Sequence, residues 1–180
     1  IGADRPALAM AGLGAGLGFS TTFVRPKGPP APTTLQGVRY YLRASPREAL
    51  EKTGLDPWTC LAAATHDLEL DEEARRAALR SPAPYVGVLG SRRRLPERLA
   101  RLKELGLTAD EIGRLRAPIG LPLAGKSPWE IAVAVIGEII QALRQREQQA
   151  AWRDPAAPRL HAVVLAAGRG SGEGGVKLVQ

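Results

Sequence analysis

The stretch WTCLAAATHDLELDEEARRAALRSPAPYVGVLGSRRRLPERLARLKEL, residues 58–105, alternates between two hydrophobic patterns. Trp58 to Ala64 is apolar without alternation, as in a strand covered on both faces of a parallel sheet. Asp71 to Arg80 opens with the acids Asp71, Glu72 and Glu73 and carries its arginines later, which complements a helix dipole. Pro84 to Leu89 is again a short apolar run, and residues 91–105 place Leu95, Leu99, Leu102 and Leu105 on one helical stripe. Strand, helix, strand, helix in this order predicts an α/β fold with a parallel sheet and helices on both of its faces.

Working outward, the same alternation continues. Toward the N-terminus, Ile1 and Gly2 read as the end of a strand cut inside its length, and Ala7 to Leu17 as a buried helix closed by Gly18. Residues 19–24, FSTTFV, are β-branched and aromatic and predict a strand. Residues 25–37 hold four prolines and two glycines and predict a loop, and Gly37 to Leu42 is a further strand. Ser45-Pro46-Arg47-Glu48 is a capping box that opens a short helix to about Lys52. Toward the C-terminus, Thr108-Ala109-Asp110-Glu111 and Ser127-Pro128-Trp129-Glu130 are two more. The last opens the longest helix, to about Gln149, and IAVAVIGEII at 131–140 is apolar nearly all round, hence deeply buried. Residues 149–159 read as a linker, followed by a fresh strand from Leu160 to Leu165 and a glycine-rich loop. This divides the chain into a domain over 1–148, a linker over 149–159 and the start of a second domain over 160–180. With its first strand truncated, the sheet is expected to lack a central member and to expose that member's apolar neighbours.

Composition narrows the function classes. The 180 residues are 44% hydrophobic and 24% charged, which suits a packed core. No run approaches the roughly 18 apolar residues of a membrane span. The single cysteine, Cys60, excludes a disulfide within the chain and a cysteine-based zinc site, and fits a reducing, cytoplasmic setting. Net charge is +7. The arginines are scattered over several helices and aromatics are only 4%, so base-stacking material is scarce and no nucleic-acid partner is expected.

Four sites could carry chemistry, all at predicted carboxyl ends of strands, where doubly wound sheets bind ligands. The first turn reads Gly2-Ala3-Asp4-Arg5-Pro6-Ala7, in which Asp4 replaces the central glycine of a dinucleotide fingerprint and opposes a close pyrophosphate. After the next strand stands Arg25, where NAD-binding folds usually place an acid; a cation there suits a 2′-phosphate, as in NADP, or marks a lost ribose contact. Thr65-His66-Asp67 follows the third strand. There His66 could exchange protons with Asp67 orienting it, or the triplet could simply cap a helix. Last, Gly87 and Gly90-Ser91-Arg92-Arg93 lead from a strand into a helix and form a plausible anion site.

Together these motifs resemble the XdhC/CoxI family of molybdenum-hydroxylase maturation factors. The similarity runs through residues 65–94 and again through 101–140, with Thr65-His66-Asp67, Gly90-Ser91-Arg92-Arg93, Pro118-Ile119-Gly120-Leu121 and Ser127-Pro128-Trp129-Glu130 as its specific elements. The resemblance implies a Rossmann-like fold and a chaperone more than a catalyst, one that binds the molybdenum cofactor (molybdopterin) and assists its sulfuration. It also implies delivery to a xanthine dehydrogenase-like hydroxylase, with a cysteine desulfurase as a further partner and a homodimer allowed. Gly2, Thr65, His66, Asp67, Gly87, Gly90, Ser91, Arg92, Arg93 and Gly120 would line its cofactor crevice. This chain departs from the family at Asp4 and Arg25, both at the nucleotide end, and no cysteine-bearing N-terminal region is present.

The tail, AVVLAAGRGSGEGGVK at 162–177, resembles the opening of MobA-like nucleotidyltransferases. In that reading Leu165, Ala166, Ala167, Gly168, Gly170, Gly175 and Lys177 would hold a nucleoside triphosphate such as CTP. Two rival functions follow: molybdenum cofactor cytidylyltransferase in a longer parent chain, and an NAD(P)-dependent oxidoreductase, against which Asp4 and Arg25 argue.

Overall fold

The computed structural model describes residues 4–26, 35–64, 68–123, 125–150 and 161–166. In chain order its elements are α1 (Asp4–Gly16), β1 (Ser20–Arg25), β2 (Val38–Leu42), α2 (Pro46–Thr53), β3 (Thr59–Ala64), α3 (Leu68–Arg80) and β4 (Tyr85–Val88). A 3-10 turn, Arg92–Arg94, then leads into α4 (Leu95–Glu104), α5 (Ala109–Gly113), β5 (Leu115–Arg116), α6 (Pro128–Ala150) and β6 (His161–Ala166). Two of the predicted capping boxes, at Ser45 and Thr108, form in full, and Ser127 and Glu130 exchange the same pair of hydrogen bonds at the start of α6. Each satisfies backbone donors that a helix end leaves open.

All six strands run parallel in the order β2-β1-β6-β3-β4-β5. This is a doubly wound arrangement with β6 at its centre. His161–Ala166, read from the sequence as the opening of a second domain, therefore pairs inside this sheet. Ser20 registers with His161 on one side and Thr59 with His161 on the other. The expected gap at the centre is filled, and its neighbours Phe23, Val24, Leu61 and Ala62 are buried. The physical reason lies in HAVVLA itself. A strand buried on both faces needs apolar side chains at successive positions, and Ala162, Val163 and Val164 supply them. Ile1, Gly2 and Ala3 lie outside the described residues, as do 151–160, most of the expected linker.

Side chains alternate between two cores, as a strand's period of two requires. On one face Phe23, Cys60, Ala62, Tyr85 and Val164 pack under α1 and α6 with Met10, Val135, Ile136 and Ile139. On the other, Val24, Leu61, Ala63, Val86 and Val163 pack with Leu50 of α2, Ala74 and Leu79 of α3, Leu102 of α4 and Ile112 of α5. No helix among the described residues is long and apolar enough to cross a membrane.

Two predictions follow from this burial. Val164→Ala should lower unfolding free energy by about 2 kcal/mol, and Val164→Asp should abolish cooperative unfolding, both read by urea denaturation. Near-silent substitutions would remove β6 from the sheet. Burial also pushes the Cys60 thiol up to about 12, with the Asp56 carboxylate adding to the effect. At neutral pH Cys60 is thus a protonated, covered thiol. A disulfide reagent should label it only after denaturant is added, and rapid labelling of the native chain would contradict this packing.

Candidate functional site

Because every strand is parallel, all six end on one edge. Arg25 of β1, Ala166 of β6, Ala64 of β3 and Val88 of β4 are the last residues of the four central strands. The strand order changes direction around β6, which is where open α/β sheets form their ligand crevice.

The exit of β4 is the best-defined part of this edge. Leu89 N donates to Ala63 O at 2.7 Å, drawing the turn that follows β4 against the end of β3. Ser91 then takes an extended N-cap conformation, and its hydroxyl makes no cap hydrogen bond. Arg92, Arg93 and Arg94 follow as an exposed 3-10 turn. They precede α4, whose own first turn carries Glu97 and whose last turn carries Arg101 and Lys103, charges that suit its dipole.

Arg98, one turn into α4, is 6% exposed and reaches back beneath this turn. Its Nη2 lies 3.4 Å from Leu89 O, and a Cβ built on Gly90 would sit 2.5 Å from Nη1. A side chain at Gly90 would have to displace this guanidinium. Gly87 is crowded in the same way: a Cβ there would fall 2.6 Å from Ile119 and 2.9 Å from the Tyr85 ring.

Ile119 belongs to the turn that follows β5. This turn begins at a cis peptide between Ala117 and Pro118. Ile119 N donates to Val88 O at 3.2 Å and Leu121 N to Ala134 O at 3.1 Å, tying the turn to both β4 and α6. Between them Gly120 has φ of +96° with the backbone of Ala134 close by, so a side chain there would be strained and crowded. Glu138 of α6 fixes the turn further. One of its oxygens, Oε2, accepts from Gly120 N and from the Tyr85 hydroxyl, both at 2.7 Å. Burial and the facing carboxylate hold the Tyr85 hydroxyl far above its ordinary value.

Of the residues singled out in the sequence, Gly87, Gly90, Ser91 and Gly120 are gathered around the exit of β4, with Arg92 and Arg93 next to them in the chain. Leu165 and Ala166 end β6, paired with Ala63 and Ala64, so the backbone of β6 arrives at the same edge. Gly2, Thr65, His66, Asp67, Ala167, Gly168, Gly170, Gly175 and Lys177 lie outside the described residues. Arg25 is 4% exposed, which places its side chain inside the fold and not in an open ribose site. Sequence reasoning passed over Arg98, Tyr85 and Glu138. Glu138 did carry a signal: it is the one acid in the run IAVAVIGEII, and a carboxylate in an apolar helix face needs donors. Among the described residues no cluster of His, Cys, Asp and Glu is placed to hold a metal ion.

Residues 1–139 match the XdhC Rossmann domain. The chain belongs to this family. The XdhC match stops short of β6, so the strand at the sheet's centre lies outside the matched segment. Among curated proteins of Escherichia coli (strain K12), the chain is 32% identical over 130 residues to the uncharacterized protein YqeB, covering 72% of this chain and 24% of that one. It is 30% identical over 94 residues to the molybdenum cofactor insertion chaperone PaoD, covering 52% of this chain and 30% of that one. Its fold is similar to a crystal structure described as a xanthine dehydrogenase from Bacillus halodurans, at 26% identity and a TM-score of 0.65, over 86% of this chain and 43% of that chain. The chain therefore spans about a quarter to under half the length of these relatives.

The Tyr85–Glu138 contact has a pH signature. A hydroxyl whose folded pKa is raised contributes stability that is complete below pH 10, the ordinary tyrosine value, and is lost as pH rises beyond it. Tyr85→Phe should cost about 1 kcal/mol at neutral pH and should flatten the fall of Tm between about pH 9 and 11. Parallel alkaline slopes for the two proteins would show that Tyr85 ionises as readily folded as unfolded.

Proposed function

We propose that this chain is the cofactor-binding domain of a maturation factor for molybdenum hydroxylases, holding the molybdenum cofactor as cargo without transforming it. The observation that carries the reading is the cationic exit of β4 in an XdhC-family chain. Buried Arg98 underpins the Gly90 turn, the Ser91 hydroxyl is uncommitted to a cap, and Arg92 and Arg93 stand exposed beside it. Such a donor set suits the phosphate of a pterin cofactor, since guanidinium groups and backbone donors recognise a phosphoryl group in a fixed geometry. The relationship to the insertion chaperone PaoD favours the same cargo.

In this reading Arg92 and Arg93 meet the phosphate, Ser91 donates to it, and the Gly120 turn, clamped by Glu138, bounds the other side. Thr65, His66 and Asp67 follow β3 directly in the chain, and His66 would hold or release a proton near the bound pterin. The client would be a xanthine dehydrogenase-like hydroxylase, with a cysteine desulfurase supplying sulfur to the bound cargo. An NADP role would need Arg25 for the 2′-phosphate, and its burial disfavours that.

A thermal-shift titration tests the assignment, with molybdenum cofactor, NADPH, NADH and CTP as separate ligands. A ligand at 100 times its dissociation constant adds about 2.7 kcal/mol to stability. The molybdenum cofactor alone should raise Tm, and His66→Ala combined with Arg92→Ala should remove the shift. Stabilisation by NADPH alone would favour an oxidoreductase, and by CTP alone a nucleotidyltransferase.

A further inference from the structure

A second cationic site stands at the β5 edge of the sheet, away from the crevice. The cavity is about 250 Å³ and lies between the start of β4, the edge strand β5 and the last turns of α6. Pro82, Pro84 and Ala142 form its apolar wall, and Arg114, Arg116 and Arg146 contribute three guanidinium groups. Among the described residues no carboxylate lines it.

The three arginines differ in how their charge is met. Arg114 is pinned by the backbone, donating to the carbonyls of Leu79, Ser81 and Ala83, so its guanidinium is fixed in place without a counter-charge. Arg146 lies 5.9 Å from the centroid of the Trp58 ring, and its Nε is buried with no hydrogen-bond partner among the described residues. Arg116 has no hydrogen bond or ion pair among the described residues. The nearby acid Glu147 is engaged by Arg144 at 2.6 Å, and Glu138 by Tyr85 and Gly120. Converging cations without carboxylates repel one another, and the arrangement is relieved by an anion that several of them share. A bare surface arginine needs no such partner. Here one guanidinium is anchored by carbonyls and another lies over an indole, so two of the three are held in position.

We infer that this cavity binds a phosphate-class oxyanion, either free or as the phosphoryl group of a larger molecule. Its volume is below the 300–1,000 Å³ typical of drug-sized ligands, which fits a phosphate or pyrophosphate and leaves any larger body outside.

Isothermal titration of the 180-residue chain with pyrophosphate tests this. An equivalent should bind at the cavity, and the double variant Arg116→Gln/Arg146→Gln should weaken it at least tenfold; any equivalent that this variant leaves intact belongs to the crevice. Arg144→Gln removes a charge from the same helix outside the cavity and should change affinity less than twofold, as should Arg92→Gln/Arg93→Gln in the crevice. Competition by a nucleoside monophosphate, lost in the same double variant, would identify a phosphoryl group on a larger molecule; its absence would confine the site to the free anion. If the double variant does not fold, Arg116→Lys carries the test, because it keeps the charge and loses the planar fork, and at least threefold weakening is expected. The inference is overturned if wild type gives no binding heat, if the crevice pair controls the affinity, or if Arg144→Gln weakens binding as much as the cavity variants do.

Discussion

The whole sheet depends on one strand being present at its centre. β2 with β1, and β3 with β4 and β5, are two separate ladders that share no direct pairing; β6 hydrogen-bonds to both. Without it, the inner edges of β1 and β3 would bury unpaired amide and carbonyl groups, a cost folded proteins rarely accept. The same strand carries Val163 into one core and Val164 into the other, so it joins the halves by packing as well. The carboxyl edge, where Ala64, Val88 and Ala166 end together, exists only because this joint sets the strands side by side.

A second constraint operates at the exit of β4. Three elements distant in sequence meet there: the Leu89–Ser91 turn, the Ile119–Leu121 turn and Glu138 of α6. Each is fixed by a different force. The first turn rests on a buried guanidinium, the second is threaded by backbone hydrogen bonds to Val88 and Ala134, and the third contributes one carboxylate oxygen shared by two donors. The result is a braced wall beside an exposed arginine turn.

What was legible in the sequence was whatever has a local cause. Trp58 to Ala64 announced a strand covered on both sides because it is apolar without alternation, and Ser45, Thr108 and Ser127 marked helix starts because capping chemistry acts over three residues. What was not legible depends on distance. HAVVLA looks like a strand from its residues, but nothing local says which sheet it enters, and it was read as a new domain. β5 is two residues long, too short to leave a period. Gly87 and Gly90 were read as members of an anion site; the packing around them, against Ile119 and Arg98, comes from elsewhere in the chain. Arg25 read as either a 2′-phosphate contact or a lost ribose contact because it ends a strand, and its burial could be seen only once the strands were assembled. Two of the chain's arginines have structural contacts that only the fold reveals: Arg98 braces a turn and Arg114 gathers carbonyls.

The position of β6 in the chain order also has a kinetic side. Its partner β1 lies near the opposite end, with Ser20 set against His161, so the contact that closes the sheet is among the most non-local in the molecule. On the ribosome, β1 to β5 are all made before the strand that joins them. The nascent chain therefore carries two open inner edges until His161–Ala166 emerges, and closing this long loop is a slow, topology-limited event. The interval before it is when the protein is most exposed to mispairing, and when a chaperone acting on the growing chain would have the most to protect.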